Sequence, residues 1–262
     1  MRFLSLPAGD SLPPEHDARS LRWRAWDSPE QFYPVAGRLL PILAWCAFAA
    51  CATGAVLGAL APASEAAGEA TYRIVFLHAP AQWVARALYL LMGSCAALAL
   101  ATGLRLPALL VRAIAPTGAM FAVIGLWTGA LWAKASWGNW WDPRLTAELT
   151  LVLLYAGTLA LHSAIEDADG SLWFVLVPSV AVVGILAAAL ASPVPWSRLH
   201  LLSLRGIVEG RTATGDTIVA IAMLGAGFVL YAGAIALRRL RCLILERERD
   251  SDWAANATQA GR

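Results

Sequence analysis

Two histidines, a knot of tryptophans and a set of arginines are the residues of this chain whose types and spacing suit chemistry. His78 lies in Tyr72-Arg73-Ile74-Val75-Phe76-Leu77-His78-Ala79-Pro80, and His200 in Pro193-Val194-Pro195-Trp196-Ser197-Arg198-Leu199-His200. Each follows apolar residues at the mouth of an apolar stretch. An imidazole is a competent axial ligand for haem iron, and two of them hold the metal from opposite sides of a porphyrin. The run Trp137-Gly138-Asn139-Trp140-Trp141-Asp142 places three indoles at i, i+3 and i+4, which share one face if the segment is helical. Such a wall offers contact area to a macrocycle. Arg73, Arg86, Arg144, Arg198 and Arg205 are candidates to pair bidentately with its propionates.

Each piece has a plainer alternative. Tryptophans are enriched at both bilayer interfaces, so the knot reads equally as an aromatic belt. A lone interfacial histidine is ordinarily a polar contact, since its amphipathic ring suits such positions. The arginines reach headgroups by snorkelling. Asp142-Pro143 reads as an N-cap followed by proline at the first helical position, so the carboxylate has a purely structural use. Glu148 and Asp216 lie near helix starts, where the helix dipole favours negative charge, with a proton-relay role as the lesser reading.

These residues must be positioned by membrane helices. Hydrophobic residues make up 59% of the 262 and the mean hydropathy is +0.60, above the roughly half-apolar composition of soluble domains. About 20 apolar residues cross the hydrocarbon core as helix. Six stretches come close: 39–61, 82–104, 108–133, 145–165, 172–191 and 216–237. They are continuously apolar and rich in Leu and Ala, unlike the shorter, alternating strands of a barrel. The expected fold is an all-α integral membrane protein, a bundle of six transmembrane helices. Gly54 and Gly58, four apart, permit close helix packing, although one such pair is weak evidence of a seam.

With six spans both termini share a side, which carries 13 of the 20 Lys and Arg, against seven opposite when Arg86 is counted near a helix end. That bias puts both termini in the cytoplasm. The loops near 62–81, 134–144 and 192–215 then share the other face and bring His78, His200 and the tryptophans together, while His16 and His162 fall on the cytoplasmic side. The chain divides into a cytoplasmic tail at 1–37, a membrane domain at 38–237 and a charged cytoplasmic extension at 238–262 that prolongs the last helix.

Cys46, Cys51, Cys95 and Cys242 form no C-x-x-C pair, so neither a disulfide framework, a thiolate metal site nor covalent c-type haem attachment is indicated. The net charge of +2 is explained by topology and contact with membrane lipid, and nucleic-acid binding has no support. The first apolar stretch is longer than a signal-peptide core, so 39–61 is read as a retained span. Neither tail has a Gly-rich phosphate-binding loop, which leaves any ATP hydrolysis to a partner.

Taken in order, these residues resemble the haem exporter protein C family (CcmC) of bacterial cytochrome c maturation, part of a haem-handling superfamily named for its Trp-rich WWD motif. The likeness covers roughly 30–237: Phe32-Tyr33 then Gly37-Arg38-Leu39-Leu40-Pro41, His78-Ala79-Pro80, the Trp-rich loop leading into Asp142-Pro143-Arg144-Leu145-Thr146, and Trp196 to Leu199-His200. The resemblance implies that His78 and His200 are axial haem ligands and that Trp137, Trp140, Trp141, Asp142 and Arg144 contact b-type haem, held transiently and non-covalently. It implies a site open to the periplasm of the inner membrane. It also implies the haem chaperone CcmE and the subunits CcmA, CcmB and CcmD as partners, and a haem-presenting subunit rather than an enzyme. The usual motif is closer to W-G-x-W-W-x-W-D; here Asp142 directly follows Trp141, two residues short, and Trp132 is the flanking indole that would compensate.

Two rival functions stand beside this one. A haem–apocytochrome ligase of the same superfamily would carry further spans and a large outer domain. A non-haem permease subunit would depend on neither outer histidine.

Overall fold

The computed structural model describes residues 28–61, 73–166 and 215–259, all of them helix or short links between helices. The helices are α1 (Pro29–Leu60), α2 (Ile74–Thr102), α3 (Arg105–Trp137), α4 (Pro143–Glu166), α5 (Gly215–Arg247) and the short α6 (Asp252–Gln259). Five are long and apolar enough to cross a membrane, and the protein is a multi-pass membrane protein. They coincide with five of the six expected stretches. The sixth, 172–191, lies outside the described residues.

Helix ends differ from the hydropathy boundaries. α1 begins ten residues before 39 and α2 eight before 82, while α5 runs on to Arg247. Hydropathy senses only the hydrocarbon thickness, about 30 Å, whereas 32 or 33 residues at about 1.5 Å each reach roughly 48–50 Å. α1 can start early because Pro29, at the first helical turn, gives up an N–H that has no intrahelical partner anyway.

Two glycines punctuate the bundle. Gly103, at φ 68°, ends α2 with its N–H on the Ala99 carbonyl (2.8 Å), and α3 begins two residues later. Gly138, at φ 73°, ends α3 with its N–H on the Lys134 carbonyl (3.0 Å). Only glycine takes this left-handed conformation without steric cost.

α2, α3 and α4 pack in succession, α5 lies against α2 and α3, and α1 rests on α5. The central core joins Ala81, Ala85, Tyr89 and Met92 of α2 to Val111, Ala115 and Phe121 of α3 and Tyr155 of α4. The Tyr155 hydroxyl donates to the Ala85 carbonyl at 2.7 Å, and its ring lies where a Cβ on Gly118 would stand. The α1–α5 seam is built of small residues. Cβ atoms at Gly54 or Gly227 would strike Leu224 and Cys51 respectively, so the Gly54-Gly58 spacing serves packing within this chain.

The two ends of the bundle are distinct. Phe32, Leu109, Leu240, Leu243, Ile244 and Trp253 cluster where α1 starts and α5 stops. At the opposite end Ala61, Val75, Phe76, Ala220 and Ile221 join the end of α1 to the starts of α2 and α5.

Candidate functional site

His78 sits in the second turn of α2, at the end of the bundle where α3 stops and α4 starts. Its Nδ1 lies 3.1 Å from the Gly125 carbonyl oxygen and 3.0 Å from the Thr128 hydroxyl oxygen. Thr128 donates its own proton to the carbonyls of Ile124 (2.7 Å) and Gly125 (3.1 Å). Both neighbours of Nδ1 therefore accept, so Nδ1 carries a proton and donates it. The other ring nitrogen, Nε2, lies 3.8 Å from the Glu148 carboxylate of α4. Trp132 of α3 flanks the imidazole with ring centroids 6.3 Å apart.

These side chains fit together because α3 presents glycines here. A Cβ on Gly129 would stand 2.7 Å from Leu145 Cδ2, 2.9 Å from Glu148 Oε2 and 3.1 Å from His78 Cε1. One turn deeper, Gly125 makes room for Gln82, whose amide would overlap any Cβ at that position. His78, Gln82 and Arg86 recur every four residues and so share one face of α2. Gln82 is 1% exposed and neither of its amide atoms has a hydrogen-bond partner among the described residues. Glu148, 2% exposed, interacts electrostatically with His78, Arg86 and Asp142. A carboxylate buried in a span is tolerated only beside compensating cations, and His78 and Arg86 are placed to supply them.

The tryptophan run does not form the helical face that its spacing predicts. α3 stops at Trp137 because Gly138 turns left-handed, so Trp140 and Trp141 belong to the link between α3 and α4. There they are 51% and 47% exposed. The link is braced by Lys134, whose ammonium donates to the Gly138 carbonyl (2.9 Å) and lies 5.9 Å from the Trp140 ring centre. Asp142 closes it, accepting the Leu145 N–H on its backbone carbonyl (2.9 Å), and α4 starts at Pro143, the position where proline is best tolerated. Arg144 is the second residue of that helix.

Arg73 precedes α2 and is exposed. Arg86 requires a correction: it lies mid-helix rather than near a helix end, because α2 begins at Ile74, and it is coupled to Glu148. His200, Arg198 and Arg205 lie outside the described residues. Gln82 and Thr128 are the polar residues here that sequence reasoning missed, and Glu148 was read there chiefly as a helix-start carboxylate. The signal was present: Glu148 stands among Leu145, Leu151 and Tyr155, the buried face of α4, and an ionisable residue on such a face marks a site by default.

The family model described as Heme exporter protein C matches residues 22–255. Among curated proteins, the Heme exporter protein C of Haemophilus influenzae is 32% identical over 234 residues, covering 88% of this chain and 95% of the relative. That of Escherichia coli K12 is 32% identical over 236 residues (87% and 92%), and that of Paracoccus denitrificans 34% over 225 residues (84% and 92%).

Proposed function

The chain belongs to the Heme exporter protein C family, and from that premise we propose that it is a haem-binding subunit of cytochrome c maturation in the bacterial inner membrane. It holds haem at the periplasmic face between His78 and His200, against Trp137, Trp140, Trp141 and Asp142. The haem is b-type, bound transiently and without covalent attachment, and is passed to the chaperone CcmE. CcmA and CcmB supply the ATP-driven step, with CcmD as a small companion. The chain itself catalyses no bond change.

The observation that carries this reading is the setting of His78. A metal-ligating histidine characteristically donates its second ring N–H to a carbonyl or similar acceptor, which fixes the tautomer and leaves the other nitrogen as ligand. Here Nδ1 is fixed by Gly125 and Thr128, so Nε2 is the nitrogen available to iron. Two indoles stand exposed on the link beside this end of α3, and Trp132 lines the ring. Arg73, Arg86, Arg144 and Arg198 are the propionate partners in this reading, Arg86 also lying within electrostatic reach of Glu148.

Six spans and cytoplasmic termini belong to the same proposal, with 1–37 as tail, 38–237 as membrane domain and 238–262 as extension. α4 ends where α5 stops, and α5 starts at the His78 end, an arrangement that a sixth span between them would suit. The apolar stretch 172–191 has the length for that crossing. The end where α1 starts and α5 stops carries the arginine-rich flanks, which face the cytoplasm by the positive-inside rule.

The test is an absorption spectrum of the detergent-purified protein. Wild type shows a Soret band, and His78→Ala and His200→Ala each lose most of it. Unchanged haem content in both variants sinks the assignment.

A further inference from the structure

We infer that Glu148 is a positioning residue for haem hand-over, an inward partner that holds Nε2 of His78 inside the bundle and exchanges that nitrogen with iron. The inference rests on His78 being a haem ligand, as proposed above, and adds what the ring does when iron is absent.

The geometry leaves one nitrogen for two partners. Nδ1 is committed to α3 through Gly125 and Thr128. Nε2 faces the Glu148 carboxylate at 3.8 Å, with the His78 side chain 12% and that of Glu148 2% exposed. With Nδ1–H already donated, Nε2 meets the carboxylate through a shared proton; iron binding Nε2 displaces the carboxylate and leaves that proton on Glu148. The arrangement is built in from both sides: α3 carries glycine at 129, where a methyl group would press on both Glu148 and His78, and Arg86 balances the carboxylate from two turns deeper on α2.

The same carboxylate is tied to the tryptophan link. Only Gly138 to Asp142 separate α3 from α4, and Glu148 is the sixth residue of the helix that this link begins. A shift of this link moves the first turns of α4 and so changes the distance between Glu148 and Nε2. Haem is then retained while the carboxylate is drawn away and released when it returns. A subunit that must give up its cargo needs such a competitor, since two imidazoles on one iron otherwise make a persistent complex.

The experiment measures haem loss from the full-length, detergent-purified protein to excess apomyoglobin, for wild type, Glu148→Gln, Glu148→Asp, His78→Ala and the Glu148→Gln/His78→Ala double variant. Removing the competitor slows loss from Glu148→Gln by roughly tenfold, the ratio that a modest change in binding free energy produces. Glu148→Asp draws the carboxylate back while keeping its charge for Arg86, and slows loss to a smaller extent; it carries the test where Gln lowers the yield of folded protein. In the double variant Glu148→Gln has no effect, because no imidazole remains to compete for. Haem loss from both Glu148 variants at the wild-type rate, or as fast as from His78→Ala, overturns the inference. So does equal slowing with and without His78, the mark of a structural effect alone. Equal loss from wild type and His78→Ala removes the ligand assignment itself, and is read before the Glu148 variants are compared.

Discussion

The two ends of the bundle treat charge and aromatic rings in opposite ways. Where α1 starts and α5 stops, rings pack inward: Tyr33 meets Trp253 at 6.0 Å, the Arg241 guanidinium caps the Tyr33 ring at 4.1 Å, and an apolar cluster lies beside them. At the other end Gln82 and Glu148 are buried with His78 and Arg86 half-buried beside them, and Trp140 and Trp141 are exposed. The first arrangement is close to what stability alone favours, apart from Arg241 Nε, which is buried without a hydrogen-bond partner among the described residues. The second sacrifices stability, because ionised and amide groups lose hydration, and it persists where a ligand or partner makes use of it.

The histidines repeat the contrast. His162, 5% exposed, places Nδ1 2.8 Å from the Thr158 carbonyl on its own helix. His78 is held by residues 47 and 50 positions away on another helix. A ring tied to its own helix moves with that helix, whereas one tied across helices responds when they shift.

This comparison can be broken. The largest effect is expected from Gly125→Val, which drives a branched side chain into the Gln82 amide; overpacking of this kind costs about 3 kcal/mol, seen as a lowered thermal midpoint in detergent together with lost haem. Gly129→Ala inserts only a methyl group, costs about 1–2 kcal/mol, and should disturb haem retention out of proportion to its effect on the midpoint, since the methyl presses on His78 and Glu148. Tyr155→Phe removes the hydroxyl bond to Ala85 and costs about 1 kcal/mol, with the Soret band kept. Smallest is Arg241→Ala, which forfeits a stacked cation worth about 0.5–1 kcal/mol and should leave haem binding as in wild type. A loss of haem in Arg241→Ala as large as in Gly129→Ala would erase the distinction between the ends.

The spans were legible in the sequence because hydrocarbon thickness imposes a minimum apolar length, and five of the described helices sit on the stretches so identified. Their ends were not, because the flanking turns of α1 and α5 stay helical with charged residues among them, and α2 starts eight residues early where Val75 and Phe76 pack into a cluster. The site was legible in part. His78 and the Asp142-Pro143 start of α4 stood out by residue type and order. The tryptophan spacing misled, since i, i+3, i+4 has meaning only within a helix and Gly138 ends it. Glu148 was hidden by its nearness to a helix start, where a carboxylate already has a local explanation in the dipole, and only the packing of α3 against α4 turns it toward His78.

The seam between α1 and α5 bears on how the protein is made. Gly54 and its partner Leu224 are separated by about 170 residues, which a ribosome adding about 5–20 residues per second needs roughly ten to thirty seconds to bridge. During that interval α1 has the start of α2 against its end but lacks α5, the helix it rests on. Its smooth stripe of glycine and alanine is a surface on which another chain's helix could settle prematurely. The seam therefore forms only once α5 has been made.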